Sequence, residues 1–265
     1  MSWRFMQNSR VTDAESLIAA MRQARRGLKR DVAQLLAALK AGKLYAPLAR
    51  PLPGEEPGQV YIAGGMTIAL HLLPGSGGLR FRALFTSVAG LEAMGAQADW
   101  KTSGGPLLHL GMPGLKALGL ASAPPGEGES PVAGVVLDPY TPDSLVLSLE
   151  EALELSHGTA IPLENYAGSL PTQEGEEILF MDEGPPPAPL LAELNAFAKE
   201  TPALKGFVLH RALLPERQRT PRLLVILNVE EGADRQAVAG ALGPRLQPHL
   251  NAGEFLNLIF DALPS

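Results

Sequence analysis

The chain has 265 residues, enough for one large domain or two ordinary ones, and its 46% apolar content supports a packed core. It contains no cysteine, which excludes disulfides, thiol catalysis and thiolate metal sites and fits a reducing, cytoplasmic compartment. The net charge of −6 hides a partition: ten Lys/Arg against three acids in residues 1–50, and fifteen acids against Lys199 alone in 121–200.

Met1–Arg10 has no apolar h-region and no small-residue cleavage site, so it is not read as a secretory signal. Thr12-Asp13-Ala14-Glu15 has the form of a capping box. Leu17, Ile18 and Met21 then recur at helical spacing, Gly27 interrupts, and Val32, Leu35, Leu36 and Leu39 continue the pattern to a stop at Gly42. Lys43–Leu48 reads as a first strand and Val60–Ile62 as another.

A hairpin follows: Thr67–Leu73, a Pro/Gly/Ser turn at Pro74–Gly78, then Leu79–Phe85. Alternation in Leu79-Arg80-Phe81-Arg82-Ala83 predicts one wet face. Ser87 is placed to cap a short helix bearing Leu91 and Met94, and Leu107–Leu118 reads as an apolar helix broken midway by Gly111, Pro113 and Gly114. Val132–Leu137 is apolar throughout, as in a central strand covered on both faces. Ser148-Leu149-Glu150-Glu151 is a second capping box, opening a helix to about Ser156.

Glu174–Pro189 has acidic ends, a short apolar strand-like core at Ile178–Met181 and a Pro185–Pro187 run, and reads as a linker. Beyond it come a helix at Leu190–Ala198, strands at Gly206–Leu214 and Arg222–Val229, a helix at Asp234–Leu246 and a strand at Phe255–Phe260. No apolar run approaches the roughly 18 residues that span a bilayer.

Chemistry-bearing patterns are sparse. The five histidines (His71, His109, His157, His210, His249) have no partner at metal-ligand spacing, so no metal or cofactor is expected. No Gly-x-Ser-x-Gly elbow occurs. Adjacent glutamates such as Glu150/Glu151 diverge by about 100° on a helix and do not converge as an acid/base pair. The strongest candidate for a partner site is the basic cluster Arg22, Arg25, Arg26, Lys29 and Arg30, one stripe if the helix runs through Gly27. A nucleic-acid reader would add a wider basic surface and stacking aromatics, and a pI near 5.4 with 5% aromatics runs against it.

Lys43–Leu48, the Leu84-Phe85-Thr86-Ser87 step with Leu91, and Gly134–Pro139 with Leu147–Leu155 resemble the N-terminal domain of the SseB (enhanced serine sensitivity) family. Leu190–Val229, with Arg222–Leu227, is similar to the C-terminal domain of that family. The family often has Asn where Asp138 stands, and it has no established catalytic residues to carry over.

The expected fold is α/β (α+β), two domains with mixed sheets and helices packed on them: 1–175, a linker at 176–189, and 190–265. The expected function is a non-enzymatic cytoplasmic adaptor or regulator acting on a protein partner through the basic helices. The alternative is an enzyme or binding protein for a small polar metabolite in an inter-domain cleft, with Asp138, Tyr140 and His210 as first candidates. Some of the acidic charge of 138–164 is expected to meet the basic 12–43 helices within the chain.

Overall fold

A computed structural model describes residues 13–50, 68–98, 100, 107–125, 131–167, 175–181, 187–251 and 256–260. The capping box at Thr12 and the strand at Val60–Ile62 fall wholly or partly outside these. The elements are α1 (Asp13–Ala24), α2 (Lys29–Ala41), β1 (Lys43–Pro47), β2 (Leu72–Pro74), β3 (Arg80–Leu84), α3 (Val88–Gln97), β4 (His109–Pro113), α4 (Gly114–Ser122), β5 (Gly134–Leu137), β6 (Leu145–Ser148), α5 (Leu149–Ser156), α6 (Glu164–Ala167), β7 (Leu179–Met181), α7 (Ala188–Glu200), β8 (Leu204–Leu213), β9 (Arg222–Val229), α8 (Arg235–Leu246) and β10 (Leu256–Phe260). The architecture is α+β, and the chain divides into two compact units, Met1–Gly168 and Ser169–Ser265.

The N-terminal unit is built on the sheet β2-β3-β5-β6, in which β3 and β5 are parallel and the other pairs antiparallel. All four residues of β5 are buried, as a central apolar strand requires. Alternation on β3 and its extension sends Leu84 into one core and Ala83 and Phe85 into another. The first core is closed by Leu17 and Met21 of α1, Leu35 and Leu39 of α2, Leu118 of α4 and Leu155 of α5. The second lies under α3, where Phe85, Leu91, Met94 and Trp100 pack together.

Local chemistry explains the helix boundaries. Ser87 Oγ accepts from Gly90 N at 3.1 Å, capping α3. Ser148 Oγ accepts from Glu151 N at 3.1 Å while Ser148 N donates to Glu151 Oε2 at 2.8 Å, so the predicted capping box forms in full and α5 ends at Ser156 as expected.

One expectation in this unit needs correction. The Leu107–Leu118 segment is not one broken helix: residues 109–113 are β4, antiparallel to β1, and α4 begins at Gly114. Glycine and proline at 111 and 113 disfavour a helical turn. The interruption expected at Gly27 is present and separates α1 from α2. That residue sits at φ 76°, and a Cβ there would come within 2.2 Å of the Ala167 nitrogen, so the helices turn a tight corner against Leu163–Ala167. Leu163 N donates to Gly27 O at 2.8 Å and holds the corner.

In the C-terminal unit the sheet order is β10-β9-β8-β7, with β7–β8–β9 antiparallel and β9–β10 parallel across α8. On β9, Leu223, Val225 and Leu227 join Leu190, Leu194 and Phe197 of α7 and Val238, Leu242 and Leu246 of α8. Leu224 and Ile226 point to the opposite face with Ala212, Leu214 and Ile259. The stretch 176–189, expected to link the domains, belongs instead to this unit. It supplies β7, and Glu176 is ion-paired with Arg217 at side-chain exposures of 5% and 10%. The division between the units lies upstream, at 168/169.

Candidate interaction surface

The parallel strands β3 and β5 end side by side, and the turn leaving β5 is anchored to the residue leaving β3. Asp138 N donates to Leu84 O at 2.8 Å. The buried Asp138 carboxylate accepts from Thr86 N at 2.9 Å through Oδ1 and from Thr86 Oγ1 at 2.7 Å through Oδ2. Thr141 Oγ1 donates to Asp138 O at 2.9 Å, and Ser144 N to Thr141 O at 3.1 Å. Thus tied, the chain takes left-handed backbone at Asp138 (φ 42°) and Tyr140 (φ 59°). Asp tolerates that region through local hydrogen bonds, whereas a bulky tyrosine is strained in it by about 1–3 kcal/mol. Tyr140 gains no burial in exchange: it is 69% exposed.

The last turn of α1 meets the same loop. Arg22 makes a bidentate pair with Asp143, Nε to Oδ1 at 2.8 Å and Nη2 to Oδ2 at 3.0 Å, and Arg25 Nη1 donates to the Pro142 carbonyl. The hydrogen bond from Arg22 holds the Asp143 carboxyl below its usual range, and the same contact raises the Arg22 guanidinium. The expected docking of basic helix on acidic middle is present in this pair. It lies on the surface, with the Arg22 side chain 64% exposed.

The five basic candidates therefore divide. Arg22 and Arg25 meet the 138–143 loop. Arg26 Nε turns to the buried Asp31 carboxylate at 3.5 Å, near the start of α2 where a negative charge also favours the helix dipole. Lys29 and Arg30 are exposed on α2. The corner at Gly27 is why no single stripe forms.

Of the alternative candidates, Asp138 and Tyr140 belong to the N-terminal unit and His210 to the other. The Asp138 carboxylate is engaged by Thr86, and His210 packs edge-on against Phe180 with centroids 5.3 Å apart. His71 stacks on Trp100 at 5.0 Å and 7°, and its burial lowers its proton affinity. Among the described residues no three His, Cys, Asp or Glu are grouped to hold a metal, and no helix is long and apolar enough to cross a membrane.

Two features escaped sequence reasoning. Arg82, assigned to a wet face, is buried, and its Nη1 donates to Ala121 O at 3.0 Å and to Ala123 O, satisfying carbonyls at the end of α4. The only signal is an arginine in a strand, which does not say what covers it. The second is a cavity of about 340 Å³ where β9 runs into α8, lined by Lys205, Asn228, Glu230, Glu231 and Arg235. The Asp234 Oδ1 already accepts from Gln236 N and Ala237 N, both at 3.0 Å, at that helix start.

The family model of the SseB protein N-terminal domain matches residues 17–152, just over half of the chain. The chain belongs to the SseB family. The matched span runs from α1 into α5 and includes Arg22, Thr86, Asp138, Tyr140 and Asp143. The resemblance of 190–229 to the C-terminal domain of the family lies outside it. No significant match to this chain was found among curated proteins or among solved structures.

Proposed function

We propose that this SseB-family chain is a protein-interaction module, a cytoplasmic adaptor or regulator that acts by contact rather than by catalysing a reaction. The observation that carries the reading is Tyr140, an exposed aromatic side chain held in left-handed backbone by a turn that Asp138, Thr86 and Thr141 fasten. A strained residue that neither packs nor bonds in the core marks a position kept for something outside the chain. Tyrosine and arginine are the side chains that most often anchor interfaces, and Arg22 and Arg25 hold the same loop.

The substitution Tyr140→Gly tests this cleanly, because glycine is at ease at this φ and the fold should be retained. Affinity capture with wild type should retain a partner that Tyr140→Gly loses, with the melting temperature of the variant unchanged or higher. Retention of the same partner by both proteins would reject Tyr140 as the anchor. Reversal of Lys29 and Arg30 to Glu asks separately whether the exposed end of the basic cluster contributes.

A second reading, binding of a small polar metabolite, is favoured by the charged cavity between Lys205 and Arg235. Titration with amino acids and other small zwitterions, followed by melting temperature, tests it. A saturable rise abolished by Arg235→Ala favours a ligand, and an unshifted transition across the panel discards it.

A further inference from the structure

Three observations meet at the end of β9. The first is topological. β9 and β10 are parallel and joined across α8, and ligands of α/β sheets bind in the crevice outside the carboxyl end of such a strand. The cavity of about 340 Å³ lies there, with the buried Leu227 and the half-buried Asn228 and Val229 of β9 in its lining.

The second is a β-bulge. Leu204 lies opposite Val229 and Gly206 opposite Asn228, so Lys205 is an extra residue of β8 with no partner on β9. Glu230 N donates to Ala203 O at 2.8 Å, so the strands stay joined past the bulge. A bulge re-aims a side chain, and this one adds an exposed lysine to the cavity wall.

The third is charge. Lys205 and Arg235 share the cavity with Glu230 and Glu231, and among the described residues none of the four is in an ion pair. Arg22, Arg217 and Arg245 have found carboxylates of this chain, whereas here opposite charges line one space without closing on each other. The backbone and a ring contact help to hold them apart. Glu230 and Glu231 sit in a turn that Ala233 N closes onto Glu230 O at 3.1 Å with Gly232 at φ 83°, and the Arg235 guanidinium lies over the Phe260 ring at 6.0 Å. The Gln236 and Ala237 amides of α8 are already taken by Asp234, so side chains rather than the helix end define what the cavity recognises.

We infer that this cavity takes a small zwitterion, an ammonium and a carboxylate on one short skeleton. Lys205 and Arg235 hold its carboxylate, and Glu230 and Glu231 hold its ammonium. A pure anion meets repulsion from the glutamates, and a pure cation meets it from the lysine and arginine. This assignment rests on the second reading above, that the cavity takes a metabolite, and does not depend on Tyr140, which belongs to the other unit.

Isothermal titration of the full-length protein with a panel of free amino acids tests it, with succinate as a pure anion and putrescine as a pure cation. At least one amino acid should bind saturably. Its N-acetyl and methyl-ester forms, each lacking one charge, should bind about tenfold or more weaker. With Glu230→Gln and Glu231→Gln together, the free and N-acetyl forms should bind alike, because the ammonium has lost its partner. Lys205→Gln with Arg235→Gln should equalise the free and ester forms in the same way. All four side chains are exposed, so circular dichroism and melting temperature should match wild type. Binding of succinate or putrescine in place of any amino acid would keep a metabolite in the cavity and overturn the zwitterion. Heat from no member of the panel would overturn both. An amino acid whose binding is unchanged in both double variants would lie elsewhere and overturn the assignment too.

Discussion

Two arginine–carboxylate pairs in this chain look alike in chemistry and differ in setting. Arg217–Glu176 is nearly closed off from solvent in the C-terminal unit, whereas Arg22–Asp143 lies on the surface of the N-terminal unit. The enclosed pair ties residue 176 to the sheet of its unit, so losing one partner removes a contact that water replaces poorly. The surface pair orients a loop, and water can replace either partner. Position, more than contact geometry, decides what each pair does.

The largest expected effect follows from that contrast. Glu176→Ala takes this carboxylate away from the poorly exposed Arg217 guanidinium and should destabilise the C-terminal unit by about 3–5 kcal/mol. Urea unfolding monitored on that unit checks it, and a loss under about 1 kcal/mol would show that solvent reaches the pair.

Next is Asp138→Ala, which removes the acceptor of Thr86 N and Oγ1 and places alanine at φ 42°. A loss of about 2–4 kcal/mol is expected from the stranded donor and the backbone strain. Asp138→Asn should recover much of it, since asparagine accepts one of the bonds and tolerates the same backbone.

Breaking Arg22–Asp143 should have the smallest effect on stability. A double-mutant cycle on Arg22→Ala and Asp143→Ala should give a coupling that shrinks as salt is raised. Because the folded Asp143 carboxyl is held below its ordinary value, the contribution of the pair is present above about pH 4 and is lost as pH falls through the lowered value. A coupling that survives high salt would mean the loop is more enclosed than its exposure indicates.

His71 offers a pH test of opposite chemistry. Burial beside Trp100 lowers its proton affinity, so the unfolded chain takes up the proton first as pH drops through about 6.5, and stability falls from there downward. In the folded protein, quenching of Trp100 by the protonated imidazole should begin below that value. Fluorescence titration in a Trp3→Phe background reads it, and a midpoint at or above 6.5 would contradict the lowered affinity.

What was legible in the sequence was local. Ser87 and the Ser148/Glu151 box announce their helices because a cap and its helix are neighbours in the chain, and Gly134–Leu137 announces a central strand because both of its faces are apolar. The SseB resemblance over the N-terminal half rested on these same elements. What was not legible depends on distant partners. Arg82 is buried only because the end of α4 needs its donors, and the strand-like Ile178–Met181 joins the C-terminal sheet only because β8 lies beside it. Tyr140 was named from the sequence only as a candidate for a metabolite cleft, and its strained backbone shows only once Thr86 is seen to fix the turn before it. The basic stripe was lost to Gly27, whose positive φ the sequence permits and the packing at Ala167 requires.

The central claim is that the Tyr140 loop meets a protein partner. A photo-crosslinking amino acid placed at position 140 in cells tests it most directly, with the exposed Glu92 position as control. A discrete adduct formed from position 140 and absent from position 92 is expected, and the adduct should be the partner that Tyr140→Gly fails to capture. No adduct at position 140, or the same adducts from both positions, would contradict the claim.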